Sequence, residues 1–319
     1  MPTLKISLFG NLHISLDGDR TVELEPATRS MLAYLLLYQY RRPRTARPRR
    51  ELLANQFWSD YEERQARRCL STALWRLRRS LEAEGIPGDA YIVTNNDEVG
   101  FNFASDHWLD VTAFEEKMAQ GMRRPVASMT EADARALQEA LSLYVGDLFE
   151  DCYDDWILRH RERLHLQYLS SLGRLMQYFE AKQLFGKALA YGRKILSVDP
   201  LREQIHRYLM RLYVRNDQPG LAVQQYETCE RILHEELGIA PMAETQTLYQ
   251  RIISGKPLDD VTAVSSEPQK SLQQALQQLR QAMHALADAQ DRLDDARELV
   301  VELAREKTLD SQLRHERLD

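Results

Sequence analysis

Residues Arg64–Glu82, RQARRCLSTALWRLRRSLE, gather the side chains best suited to gripping a polyanion. Wound at 100° per residue, the stretch sorts into two faces. Ala66, Leu70, Ala73, Leu74, Leu77 and Leu81 share one arc; Arg67, Arg68, Ser71, Thr72, Trp75, Arg76, Arg78 and Arg79 share the other. The second arc has no carboxylate. Solvated helix faces usually mix signs, because Glu–Lys and Asp–Arg pairs one turn apart stabilise them. Guanidinium groups among small hydroxyls instead suit phosphate oxygens and base edges. A basic solvated face on an ordinary domain is the alternative, and the helix alone does not decide between them.

Its surroundings shift the balance. YRRPRTARPRR, just upstream, places six arginines in residues 41–50: Arg41, Arg42, Arg44, Arg47, Arg49 and Arg50. From Arg41 to Arg79 there are twelve arginines and four acids, a local charge of +8 in a chain of net −6. Residues 1–108 carry 15 basic and 14 acidic side chains, so the remainder holds −7. A focused basic patch on an acidic chain is an electrostatic footprint for a polyanion, and the six upstream arginines are candidate phosphate contacts.

Other chemistry is weak. His160 and His165 stand five apart on one helix and do not converge as metal ligands. Asp147, Glu150, Asp151, Asp154 and Asp155 cluster near a helix start, where negative charge complements the helix dipole. Metal binding or a contact with RNA polymerase is the alternative for that cluster. LFGKAL lacks the spacing of a phosphate-binding loop, and no nucleophile–base set appears. Cys69, Cys152 and Cys229 show neither ligand spacing nor a disulfide framework. No catalytic, cofactor or metal site is expected, and the chain is not expected to be an enzyme. No apolar run reaches the eighteen or so residues of a membrane span, and MPTLKISLF does not read as a signal peptide. The cytoplasm is the expected compartment.

The elements that must carry the basic helix form a small α+β unit. Leu4, Ile6 and Leu8, then Leu12, Ile14 and Leu16, then Val22 and Leu24 alternate as strands do. A helix fits Thr28–Tyr40. A second fits Arg49–Trp58, burying Leu52, Leu53, Phe57 and Trp58. The basic helix is the third, ended by Gly85, Pro87 and Gly88. YIVT and VGFNF follow as a hairpin joined by Asn95–Glu98. Three helices and a hairpin predict a winged helix-turn-helix whose third helix enters the major groove.

SLFGNLHISLDG, RSMLAYLLLY, ELLANQFWSD, ARRCLSTALWRLRRSLE and YIVTNNDEVGFNF together resemble the winged-helix domain of the SARPs, the Streptomyces antibiotic regulatory proteins. The fold is shared with response-regulator output domains that carry strands ahead of the helices. The resemblance implies that Ser71, Thr72, Trp75, Arg76 and Arg79 face DNA and that Arg78 lies at the edge of that face, near phosphate. Trp75 has two readings, packing on thymine methyls or sugars, or folding back onto the hairpin. Residues 41–50 depart from the family pattern in length and charge. In the family this connection lies away from the recognition helix, which points it to flanking phosphate or to a protein.

WLDVTAFEEKMAQ links the halves, with Asp110 and Phe114 matching the family's post-wing helix. Beyond it every segment is helical in period: 131–144, 156–181, 184–197, 202–215, 219–236 and 243–254. Helix pairs of about 34 residues have the tetratricopeptide period. PLREQIHRYLMRLYVRNDQPGLAVQQYETCERILHEELGIAPMAETQTLYQRI resembles the bacterial transcriptional activator domain that follows the winged helix in SARPs. After a polar linker at 258–271, the tail is rich in Gln, Ala, Leu, Glu and Arg. Leu272, Leu276, Leu279, Met283, Leu286 and Leu293 repeat at heptad spacing, with Gln290 in the seam. The tail forms either a dimeric coiled coil, a helix folded back on the repeats, or a docking helix for another protein.

The expected protein is thus mostly α: a winged helix-turn-helix at 1–108, a tetratricopeptide-like activator domain at 109–257, the linker, and a coiled-coil helix at 272–317. Its expected function is sequence-specific binding of double-stranded DNA and regulation of transcription as a homodimer, with RNA polymerase as partner. A regulator whose repeat groove senses a small-molecule effector is the alternative, and an interaction scaffold with a degenerate winged helix is the third reading.

Overall fold

Alternation at the amino terminus places Leu4 and Ile6 of β1 (Leu4–Ser7) opposite Leu16 and Ile14 of β2 (His13–Leu16), all buried. The computed structural model describes residues 3–16, 20–38, 47–83, 87–95 and 97–258. Arg41, Arg42, Arg44 and the heptad positions Leu272, Leu276, Leu279, Met283, Leu286 and Leu293 lie outside the described residues. β3 (Arg20–Thr21) continues the antiparallel meander.

α1 (Pro26–Tyr38) starts on a proline, whose missing N–H costs nothing at a first helical position. It buries Met31, Leu32, Ala33, Leu35, Leu36 and Leu37. α2 (Arg50–Trp58) buries only Leu53 and Ala54. Leu52, Phe57 and Trp58, expected in the core, are half-buried. Nine residues present one narrow stripe inward, and Phe57 instead joins a rim of aromatic rings. Its ring centroid lies 5.5 Å from that of Tyr34, edge to face, and 5.9 Å from that of Trp58. α3 (Glu63–Ala83) follows.

Next come a single-turn α4 (Gly88–Tyr91) and the antiparallel hairpin β4 (Ile92–Asn95) and β5 (Glu98–Phe101). Asn95 pairs with Glu98, so the turn is tighter than the four-residue link expected. β6 (His107–Leu109) then returns to the first sheet and runs parallel to β1, giving the order β3-β2-β1-β6. Neither α4 nor β6 was expected. The anticipated division after residue 108 falls inside β6.

The rest is helical: α5 (Asp110–Gly121), a short 3-10 turn at Val126–Ser128, α6 (Glu131–Leu143), α7 (Asp155–Ala181), α8 (Phe185–Val198), α9 (Glu203–Arg215), α10 (Pro219–Leu237) and α11 (Ala243–Ile253). α5 packs on α6, α7 on α8, α8 on α9 and α9 on α10. A capping box opens α6: Thr130 accepts from the Asp133 amide, and Asp133 accepts from the Thr130 amide. Close approach of α5 to α6 requires Gly121. A Cβ there would collide with Leu137 and stand 2.9 Å from the backbone oxygen of Asp133, which cannot swing aside. Gly121→Ala is expected to cost about 1–3 kcal/mol by overpacking, read as a lowered urea midpoint. An unchanged midpoint would mean that the helices part without cost.

The amino-terminal sheet and the helical half are stitched together. Asp110 Oδ2 accepts from the amides of Leu8 (2.7 Å) and Phe9 (2.9 Å), and Oδ1 from that of Val111. The loop before α7 extends the edge: Phe149 N donates to Leu8 O (2.8 Å), Gly10 N to Asp147 O (2.7 Å) and Glu150 N to Gly10 O (2.9 Å). Arg161 of α7 holds that loop by donating to the carbonyls of Leu148, Phe149 and Cys152. Phe9 completes the joint, packing on Phe114 and Tyr144.

Burial pushes the Asp110 carboxyl from 3.8 up to about 6, outweighing the amides that favour its charged form. The folded chain therefore holds this proton more tightly than the unfolded chain. The resulting stabilisation is complete below about pH 4 and is lost as pH rises through 6, a span of about 3 kcal/mol. His206, whose pKa burial lowers, works in the opposite sense. Comparing wild type with Asp110→Asn keeps His206 in common. Urea titrations at pH 7 and pH 5 should show wild type gaining stability relative to Asp110→Asn as pH falls. A difference independent of pH would refute the shift.

Candidate nucleic-acid interface

The apolar arc of α3 is its anchor. Ala66, Leu70, Ala73, Leu74, Leu77 and Leu81 are all buried, against α1, α2 and α4. The opposite arc therefore faces outward as a matter of helical geometry. Gly88 lets the following chain fold close, since a Cβ there would lie 2.8 Å from Arg78 Cβ and 3.0 Å from its carbonyl oxygen. Arg78 then fastens the hairpin to the helix, donating to Ile92 O (3.1 Å) and Thr94 Oγ1 (2.8 Å). It is half-buried, tied to the hairpin rather than standing out at the edge of the face.

Arg67, Arg68, Ser71, Thr72, Trp75, Arg76 and Arg79 are exposed. Ser71 and Thr72 donate their hydroxyls one turn back, to the carbonyls of Arg67 (2.9 Å) and Arg68 (3.0 Å). With their protons committed to the backbone, the oxygens are left as acceptors, and Ser71 Oγ accepts from Arg50. Trp75 is 60% exposed and so is not buried under the hairpin. The Arg79 guanidinium lies 5.7 Å from the centre of its ring, within cation–π range.

Three carboxylates temper this face, none of them inside the stretch that announced it. Arg67 Nη2 donates to Glu51 (2.6 Å) and to Glu63 (2.7 Å), tying α2 to α3. Arg76 Nη1 donates to Glu25 (2.6 Å), just ahead of α1. Glu63, four residues before Arg67, was legible as a helical pair; Glu25 and Glu51 come from elsewhere in the chain and carried no such signal.

The described part of the arginine-rich segment corrects an expectation. It does not lie away from α3. Val99 N donates to Pro48 O (3.0 Å) and Arg50 N to Asp97 O (2.7 Å), so residues 48–50 run along β5. The backbones of Arg49 and Glu98 form an isolated antiparallel β-bridge. Arg50 reaches α3 and donates to Ser71 Oγ (2.8 Å). Arg47 packs its aliphatic stem over Gly100, where a Cβ would stand 2.7 Å from its Cγ.

In the acidic cluster, Asp147 meets the Tyr144 hydroxyl and His165, and Glu150 accepts from the Asp147 amide. Asp151 pairs with Arg29 at 3.8 Å, while Asp155 sits in the first turn of α7. No group of three His, Cys, Asp or Glu side chains among the described residues is arranged to hold a metal ion. No described helix is long and apolar enough to cross a membrane.

Residues 109–253 match the bacterial transcriptional activator domain. Transcriptional regulatory protein MoaR1 of Mycobacterium tuberculosis is 24% identical over 267 residues, 81% of this chain and 82% of its own length. Regulatory protein AfsR of Streptomyces coelicolor is 25% identical over 266 residues, 83% of this chain and 26% of its own. The solved structure of Mycobacterium tuberculosis EmbR, in complex with a low-affinity phosphopeptide, shares the fold. It gives a TM-score of 0.63 at 21% identity, over 81% of this chain and 67% of that one. The helical half and these relatives define a bacterial transcriptional regulator. In its helical domain and in these relatives the chain is similar to SARP-type transcriptional activators.

Proposed function

We propose that α1–α3 and the β4–β5 hairpin act as a winged helix-turn-helix that reads double-stranded DNA. In this reading α3 lies in the major groove. Arg76 and Arg79 donate to base edges, Ser71 and Thr72 accept or donate nearby, and Trp75 packs on thymine methyls or sugars. Arg49, Arg50 and Arg68 meet phosphates. Arg67 and Arg78 serve instead to hold α2 and the hairpin against the reading helix. The observation that carries the proposal is the division of α3, with every apolar-arc residue buried and Ser71, Thr72, Trp75, Arg76 and Arg79 exposed.

The helical half, built as tetratricopeptide-like pairs, contacts RNA polymerase, and heptad residues 272–293 pair two chains into a homodimer. The site of action is the cytoplasm. Selection of bound duplexes from random DNA by the full chain tests the central claim. A sequence should emerge, and adding it upstream of a promoter should raise transcription by polymerase in vitro. A pool that never enriches would remove DNA reading from this protein.

A further inference from the structure

The two ion-paired arginines on the exposed face of α3 differ in kind. Arg67 is held by one carboxylate from α2 and one from its own helix, so that pairing joins elements. Arg76 is paired across 51 residues to Glu25. The Glu25 backbone is fixed because its carbonyl accepts from Thr28 Oγ1 (2.7 Å) and Arg29 N (2.9 Å), closing the first turn of α1. Its carboxylate is thereby delivered to Arg76, yet the two side chains remain 61% and 50% exposed. A pair this open adds little to stability. What it does do is occupy a guanidinium that otherwise faces outward among Thr72, Trp75 and Arg79.

We propose that Glu25 is an intramolecular competitor for DNA, its carboxylate holding the Arg76 guanidinium in the free protein until a phosphate or base oxygen displaces it. The inference rests on the reading of α3 as the DNA-facing helix. Carboxylate and phosphate offer a guanidinium the same two-pronged acceptor, so the exchange replaces like with like. Glu25 holds Nη1, so a complex in which Arg76 engages DNA through that nitrogen must first open the pair. The released Glu25 then stands unpaired beside the duplex and attracts a cation back from solution. Affinity, and its dependence on salt, are both lower than the arginine count of α3 implies.

The test is a double-mutant cycle on the full chain: wild type, Glu25→Gln, Arg76→Ala and the double variant. Each is titrated with one duplex enriched from random DNA, over a range of salt concentrations. Glu25→Gln is expected to tighten binding about two- to five-fold, the scale of an exposed ion pair. It should also steepen the slope of log affinity against log salt by up to about 0.9. In the Arg76→Ala background the same change should gain less, because only charge repulsion is left to relieve. Equal gains in both backgrounds would make Glu25 a plain negative charge near DNA and overturn the proposal, as would no gain at all. Circular dichroism melts of all four proteins separate these results from misfolding. A wild type that binds no duplex overturns the DNA reading itself, an outcome distinct from a binding wild type that Glu25→Gln leaves unchanged.

Discussion

Leu77→Ala is expected to lower the unfolding free energy by about 2–5 kcal/mol, through lost transfer energy and the cavity left behind. Leu77 is fully buried at the middle of the α3 apolar arc, beside Leu70, Leu74 and Leu81. Domains of ordinary stability have about 5–15 kcal/mol in total, so this one truncation takes a large share. Because α3 is the helix that carries the basic face, DNA binding should fail at the temperature where the variant melts rather than decline smoothly. Urea denaturation followed by tryptophan fluorescence reads the loss. A cost below about 1 kcal/mol would mean that α3 is not anchored by this arc.

Arg76→Ala and Arg79→Ala should each erase sequence preference at one position of the bound site. A good bidentate contact to a base discriminates by about 1–3 kcal/mol, roughly a five- to 150-fold change in relative affinity. Arg50→Ala provides the contrast. A phosphate contact carries no sequence, so its removal should weaken every duplex alike and flatten the salt dependence. Competition binding of matched and mismatched duplexes distinguishes the patterns. Unaltered discrimination in both α3 variants would take the reading role away from this helix.

What the sequence made legible was periodic and local. The six apolar positions of α3 recur at helical spacing, and all six are buried. The boundaries of α7 to α11 follow the same logic, with turns at Gln183, Asp217 and Gly238, each at positive φ. β6 was invisible because three residues, His107–Leu109, show no period, and their partner strand lies a hundred positions earlier. The half-buried state of Phe57 and Trp58 was hidden for a related reason: composition marks a large aromatic as apolar without saying which rim it will line. On the basic face, counting charges within one helix identified the arginines but not their carboxylates. Glu25 meets Arg76 only because tertiary packing sets the start of α1 against α3. The role of Arg78 was equally non-local, fixed by a hairpin that folds back over it.

The joint between sheet and helices has a mechanical meaning. The chain enters its helical half through a strand that shares a sheet with its own first strand, and Asp110, the first residue beyond it, is hydrogen-bonded to that strand's end. The loop before α7 grips the same segment. Such a connection is a bracket rather than a tether: it transmits rotation. If α3 reads DNA as proposed, this joint would limit how far α5 and the start of α7 can turn relative to the first sheet. On that reading, the azimuth of the bound site around the DNA axis would set the side of the duplex on which those helices stand.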